Sequence, residues 1–180
     1  MAARSGSARS SKPRKGSTPP LSALDLGIDL GTTRTVVARA DRGNYPVLSF
    51  TDTNGDSHDY YPSLTALTDD GLVHGFRARR AARQGAPLLR SLKRTLAAPS
   101  VSAASPVALG DRTLGVGEVL VSFLTDLRQE LAASGVLDGA DPGGEDANVV
   151  VAVPAHAYGA QRLLTLDAFR AAGFHVTAML

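Results

Sequence analysis

The stretch Leu26-Gly27-Ile28-Asp29-Leu30-Gly31-Thr32-Thr33 runs from alternating apolar residues into a carboxylate, a glycine and two hydroxyl side chains. A carboxylate at the end of a strand is a hard oxygen ligand, suited to Mg²⁺ or to its coordinated waters. Gly31 permits a tight backbone turn that leaves peptide N–H groups free to face an anion, and Thr32 and Thr33 add hydroxyl donors. Together these groups suit one task, holding the phosphates of a nucleotide beside a metal ion. The segment is not a P-loop, because no Gly-Lys-Ser/Thr follows it. A plain hairpin with glycine at its tip would carry the same pattern.

A second candidate is Lys93. Only Lys12, Lys15 and Lys93 are lysines, so beyond the first 22 residues the chain otherwise uses arginine for its cations. A lysine kept in such a sequence offers a compact, strongly hydrated ammonium, although a surface lysine on an amphipathic helix would look alike. His58, His74, His156 and His175 show no ligand spacing and receive no chemistry. The chain has no cysteine, hence no disulfide framework and no thiolate metal site, which fits a cytoplasmic protein.

The elements that must position these groups are legible in the spacing of apolar residues. Leu24–Asp29, Thr35–Ala40 and Pro46–Phe50 read as three strands of an antiparallel meander joined by short polar turns. Ser63–Thr68 and Gly71–Gly75 form a further pair across Asp69-Asp70, and residues 76–84 and 87–97 read as strongly basic helices. Ala98 to Ser105 is a small-residue linker, and Val107–Leu114 surrounds Gly110-Asp111 as another strand. From Val116 to Leu131, apolar residues recur every three to four positions, the pattern of a helix packing on a core. Asn148–Val153 reads as a strand buried on both faces, and Pro154 ends it. A helix over Tyr158–Ala172 is then closed by Gly173, and a strand begins at Phe174. Strand, helix and strand imply a parallel crossover and a mixed α/β class.

Residues 1–22 hold Arg4, Arg9, Lys12, Arg14 and Lys15 with no acid, and should be a disordered, solvated basic tail. No apolar run approaches the roughly 18–20 residues of a membrane span. The tail has neither the apolar core of a signal peptide nor the apolar face of a transit peptide.

Gly27-Ile28-Asp29-Leu30-Gly31-Thr32-Thr33 resembles the first phosphate motif of the heat-shock protein 70 (DnaK-type) chaperones, a motif shared in varied form with sugar kinases of the same fold superfamily. Tyr61-Pro62-Ser63 is similar to the family's proline-serine strand, and Leu92-Lys93-Arg94 to its catalytic-lysine segment. Val151-Ala152-Val153-Pro154-Ala155 followed by Ala160-Gln161-Arg162 resembles its strand–proline–helix segment. The matches fall in the family's order and run from about Leu24 to the last residue.

The resemblance implies the first lobe of an actin-like, ribonuclease H-like ATPase domain over residues 23–180. That lobe would be a five-stranded mixed sheet with flanking helices and a smaller inserted subdomain from about Thr53 to Ser134. It implies ATP/ADP and Mg²⁺ as ligands. Asp29 would hold the metal through water and take part in catalysis, and Gly31, Thr32, Thr33 and Arg34 would cradle the phosphates. Lys93 would be the catalytic cation, and Pro154 and Arg162 would relay the nucleotide state between domains. Peptide clients and co-chaperones would be partners of the full-length parent, with no specific nucleic acid. Arg34 stands where the family often has an aromatic or asparagine, which makes the phosphate pocket more basic. His156 and Ala157 depart from family aromatics and mark a divergent member. Because the sequence ends within the apolar strand Val176-Thr177-Ala178-Met179-Leu180, we expect a fragment that hydrolyses no ATP alone. Two alternatives remain at this level. One is part of an actin-fold sugar kinase; the other is a stand-alone interaction module that uses its basic tail.

Overall fold

Strict alternation drives the first strand: Leu24, Leu26, Ile28 and Leu30 are buried while Asp25, Gly27 and Asp29 face out. The computed structural model describes residues 24–90, 92–137, 139–145, 147–153 and 157–180. The basic tail and Pro154 lie outside the described residues.

Chain order is β1 (Leu24–Leu30), β2 (Arg34–Arg39), β3 (Phe50–Thr51), β4 (Ser57–His58), β5 (Tyr61–Pro62), β6 (Thr65–Thr68) and β7 (Gly71–His74). There follow α1 (Gly75–Arg83), β8 (Leu88–Leu89), α2 (Leu92–Leu96), β9 (Pro106–Leu109), β10 (Arg112–Gly115) and α3 (Val116–Ala133). The chain closes with β11 (Ala147–Ala152), α4 (Gly159–Ala171) and β12 (Val176–Met179). The class is mixed α/β, as the sequence implies.

The main sheet has five strands in the order β12-β11-β1-β2-β5. It is mixed: β1 runs parallel to β11 and antiparallel to β2, and β11 runs parallel to β12. The expected strand–helix–strand crossover is therefore present as β11-α4-β12. Gly173, at φ +85°, supplies the left-handed residue that ends α4.

Register aligns the buried residues. Leu26 pairs with Val149, and Ile28 lies between Val151 on one side and Val37 on the other. That face joins Leu120, Leu124, Leu127 and Leu131 of α3 and Phe169 of α4 in one hydrophobic core. The expected long helix is thus observed, with its apolar stripe fully buried.

Three expectations are corrected. Pro46–Phe50 does not complete a meander. Pro46–Leu48 lies antiparallel along β2 through a single bridge, Val47 to Ala38, and two backbone hydrogen bonds; Phe50 belongs to β3; and the strand that pairs with Arg34 and Thr35 in the sheet is Tyr61–Pro62. Proline explains both places, since it cannot donate to a ladder and sits at sheet edges. Residues 87–97 are not one helix, because Leu88 and Leu89 pair with Ala66 and Thr65 and cover the free edge of β6. Only Leu92–Leu96 is helical in that stretch. Finally, β11 is fully buried on one face only; Asn148, Val150 and Ala152 on the other are half-buried. Asn148 and Val150 border a groove of about 390 Å³ together with Asp25, Gly27 and Tyr45.

A polar network ties the smaller elements to α3. The buried Tyr61 hydroxyl donates to Asp126, which also accepts from Arg77 of α1. Burial first, and then the Asp126 carboxylate, push the Tyr61 phenol far above its ordinary range. His74 is buried between Thr65, 2.9 Å from Nδ1, and Ser122, 2.8 Å from Nε2. Burial pulls the His74 imidazole down to about 4, against a weaker upward pull from Asp126.

Candidate functional site

The β1–β2 turn is held from within. The Gly31 N–H bonds the Asp29 carbonyl oxygen at 3.1 Å, closing a tight turn directly after the strand. A Cβ on Gly31 would overlap the carbonyl oxygen of Arg34, so glycine is needed for close backbone approach and not for a left-handed conformation. The Gly31 N–H is therefore engaged within the turn. Thr32 and Thr33 differ. Among the described residues their N–H groups and hydroxyls have no partner.

Asp29 projects from the exposed side of β1, and its carboxylate makes no hydrogen bond or ion pair among the described residues. A lone, accessible carboxylate fits Mg²⁺, which keeps most of its waters and takes one or two carboxylates plus phosphate oxygens. A dedicated all-protein cage is not formed: no cluster of three or more His, Asp or Glu able to hold a metal occurs among the described residues.

Lys93, half-buried in α2, lines a narrow crevice with Gly31, Leu30, Ser63 and Thr65. Its ammonium has no carboxylate partner among the described residues. The neighbouring Ser63 hydroxyl is 3.0 Å from that of Thr35, which fixes β5 against β2 beside the turn. The fold thus brings Lys93 to Gly31 across a gap of more than sixty residues in sequence. Thr33 and Arg34 line a separate, larger cleft of about 700 Å³, with the Arg34 guanidinium 4.4 Å from the Tyr60 ring centre. Asp29 borders neither cavity. Arg162, half-buried on α4, donates from Nη2 to the Met179 carbonyl at 3.3 Å and ties the helix to β12.

Sequence reasoning missed the larger cleft. Its walls come from Arg79, Arg83, Arg90 and Arg94 as well as Arg34. The basic character of residues 76–97 was the available signal, but the convergence depends on how β8 folds back on β6.

No family model matches the chain. Similarity to curated proteins is nevertheless extended. Chaperone protein HscA of Pectobacterium carotovorum subsp. carotovorum is 31% identical across 94% of this chain, and the HscA homolog of Laribacter hongkongensis is 32% identical across 94%. HscA of Serratia proteamaculans is 31% identical over the same share. These relatives are chaperones of the heat-shock protein 70 family. The chain belongs to the heat-shock protein 70 family. It is a divergent member, and it spans 28–29% of the length of the relatives it matches. Among the described residues of this heat-shock protein 70 relative, no helix is long and apolar enough to cross a membrane.

Proposed function

We propose that this chain supplies the nucleotide-binding first lobe of a heat-shock protein 70-type chaperone, with the actin-like architecture of that family's ATPase domain. The observation that carries the reading is the placement of Lys93 against Gly31, beside two threonines with unengaged donors. A cation and free hydroxyls at the end of a central strand are the parts a phosphate-binding turn requires.

In this reading Thr32 and Thr33 donate to phosphate oxygens through hydroxyl and backbone N–H, and the rigid Gly31 turn sets their spacing. Asp29 orients a hydrated Mg²⁺, which when bound neutralises charge on the β- and γ-phosphates. Lys93 holds its ammonium toward the phosphate undergoing transfer, where positive charge stabilises a loose transition state. Arg34 makes the approach more positive than an aromatic or asparagine would. Residues from about Thr53 to Ser134 form the smaller inserted subdomain, and residues 1–22 a basic tail.

Peptide clients and co-chaperones belong to the longer parent, in the cytoplasm, with Pro154 and Arg162 as relay positions. The Arg162 bond to the β12 backbone gives that relay a physical handle, since it couples a helix to the last strand of the sheet. The chain alone binds nucleotide without turning it over.

Calorimetry of Mg-ATP on the purified chain tests the site. Binding is expected in the wild type and should weaken at least about tenfold in Asp29→Asn, the loss of one charged ligand. Equal affinity in both proteins removes Asp29 from the site. Sustained ATP hydrolysis by the chain, abolished in Lys93→Ala, overturns the claim that it is inactive alone.

A further inference from the structure

The cleft next to the phosphate turn carries more charge than a mononucleotide needs. Arg34, Arg79, Arg83, Arg90 and Arg94 line it with Thr33, Tyr60 and a floor of Leu64, Ala82 and Leu88. No carboxylate lines it, and none of the five guanidinium groups has an ion-pair partner among the described residues. Arg77 and Arg128, by contrast, are paired, Arg77 with Asp126 and Arg128 with Asp141 at 2.7 Å. Five like charges around one concavity repel one another, a cost that an anion removes on binding.

Part of the array is held in place. Tyr60 is approached by two guanidiniums, with Arg34 4.4 Å and Arg79 5.8 Å from its ring centre. Arg79 also donates from Nη2 to the Tyr60 hydroxyl at 3.3 Å. Such contacts fix the planes of the two forks without using up their charge. At about 700 Å³ the cleft lies within the range of small-molecule sites, far larger than one phosphate ion requires. Its concavity favours a compact, densely charged ligand over an extended acidic peptide.

We propose that this cleft is a metal-independent site for a linear run of phosphoryl groups, either inorganic oligophosphate or the phosphate tail of a nucleotide. Arginine forks meet successive phosphoryl oxygens in pairs, and the run neutralises several guanidiniums at once. The site adjoins the nucleotide site at Thr33 and Arg34 but needs neither Mg²⁺ nor Asp29, so it extends beyond the function proposed above.

The experiment is calorimetric titration of the full chain with sodium tripolyphosphate in EDTA at about 0.1 M salt, a concentration that screens loose surface attraction. Saturable one-to-one binding is expected. It should weaken at least about tenfold in the Arg83→Ala/Arg90→Ala double variant and by less in the double lysine variant, which keeps charge but loses the forks. Both arginines are exposed and make no bond among the described residues, so circular dichroism should stay native. Asp29→Asn should leave tripolyphosphate binding unchanged even where Mg-ATP binding is lost, which separates this site from the metal-dependent one.

A second arm titrates ATP in EDTA. Competition with tripolyphosphate identifies the nucleotide tail as a source, and its absence assigns the cleft to inorganic oligophosphate. Three results would overturn the proposal. One is binding that survives the double alanine variant but disappears when Arg4, Arg9, Lys12, Arg14 and Lys15 are changed to serine. Another is equal affinity for an oligoglutamate peptide, and the third is no saturable binding at all.

Discussion

Lowering the pH should destabilise this protein through His74 in a way that can be isolated. The imidazole is 2% exposed, bridges Thr65 and Ser122, and stands edge-on to Phe123 at 5.8 Å. Burial drops its affinity for a proton, from the ordinary 6.5 to about 4, while Asp126 pulls weakly upward and Arg77 downward. The unfolded chain therefore binds the proton more readily than the native one, and stability rises with pH. The contribution is complete above about pH 6.5 and is lost as the pH falls toward about 4. A gap of about 2.5 units corresponds to roughly 3 kcal/mol at full protonation, of which roughly 2 kcal/mol is already gone at about pH 5. Urea unfolding of the wild type and His74→Gln at about pH 7.5 and about pH 5 gives four free energies. Carboxylates depressed in the native state, such as Asp52 and Asp141, titrate in both proteins and cancel in the difference. The wild type should lose roughly 2 kcal/mol more than the variant over this interval. Equal losses would refute the argument that a neutral, buried His74 is built into the fold.

Two further substitutions probe the site and its support. Gly31→Ala places a methyl on the Arg34 carbonyl oxygen, so the turn must open; thermal unfolding should show a loss of about 1–3 kcal/mol, with Mg-ATP binding reduced in parallel. Unchanged stability would mean the turn is slack. Tyr61→Phe removes one of the two donors to the buried Asp126 and should cost about 1–3 kcal/mol in chemical denaturation, leaving Mg-ATP affinity of the remaining folded protein intact. A variant as stable as the wild type would show that Arg77 alone satisfies that carboxylate.

The parts of the fold governed by local periodicity were readable in advance. The alternation of Leu24, Leu26 and Ile28 placed β1, the three-to-four spacing from Val116 to Leu131 placed α3, and Gly173 placed the end of α4. What escaped was set by competition between strands for an edge. Pro46–Phe50 and Tyr61–Pro62 both lie along β2, and only the full fold decides that the second pair takes the register with Arg34 and Thr35. Leu88 and Leu89 had helical neighbours on both sides, yet the open edge of β6 claimed them. The same holds for the candidate site. The turn after β1 was legible because its residues are contiguous, whereas the arginine cleft draws on positions from Arg34 to Arg94 that share no short motif. His74 carried no signal either, since its burial comes from α3, far along the chain.

The place of β1 in the sheet has a consequence for synthesis on the ribosome. Its parallel partner β11 arrives late: Asp25 and Asn148, bonded at 2.8 Å, are 123 residues apart. At a translation rate of about 5–20 residues per second, roughly 6–25 s pass in which β1 can pair with β2 on one side but has no partner on the other. During that interval the β1 edge offers unpaired N–H and C=O groups beside Leu24, Leu26 and Ile28, a template for pairing with another nascent chain. Closing the sheet is therefore a late, long-range event, of the kind that slows folding most. A protein from a family of chaperones would thus itself pass through an aggregation-exposed state each time it is made.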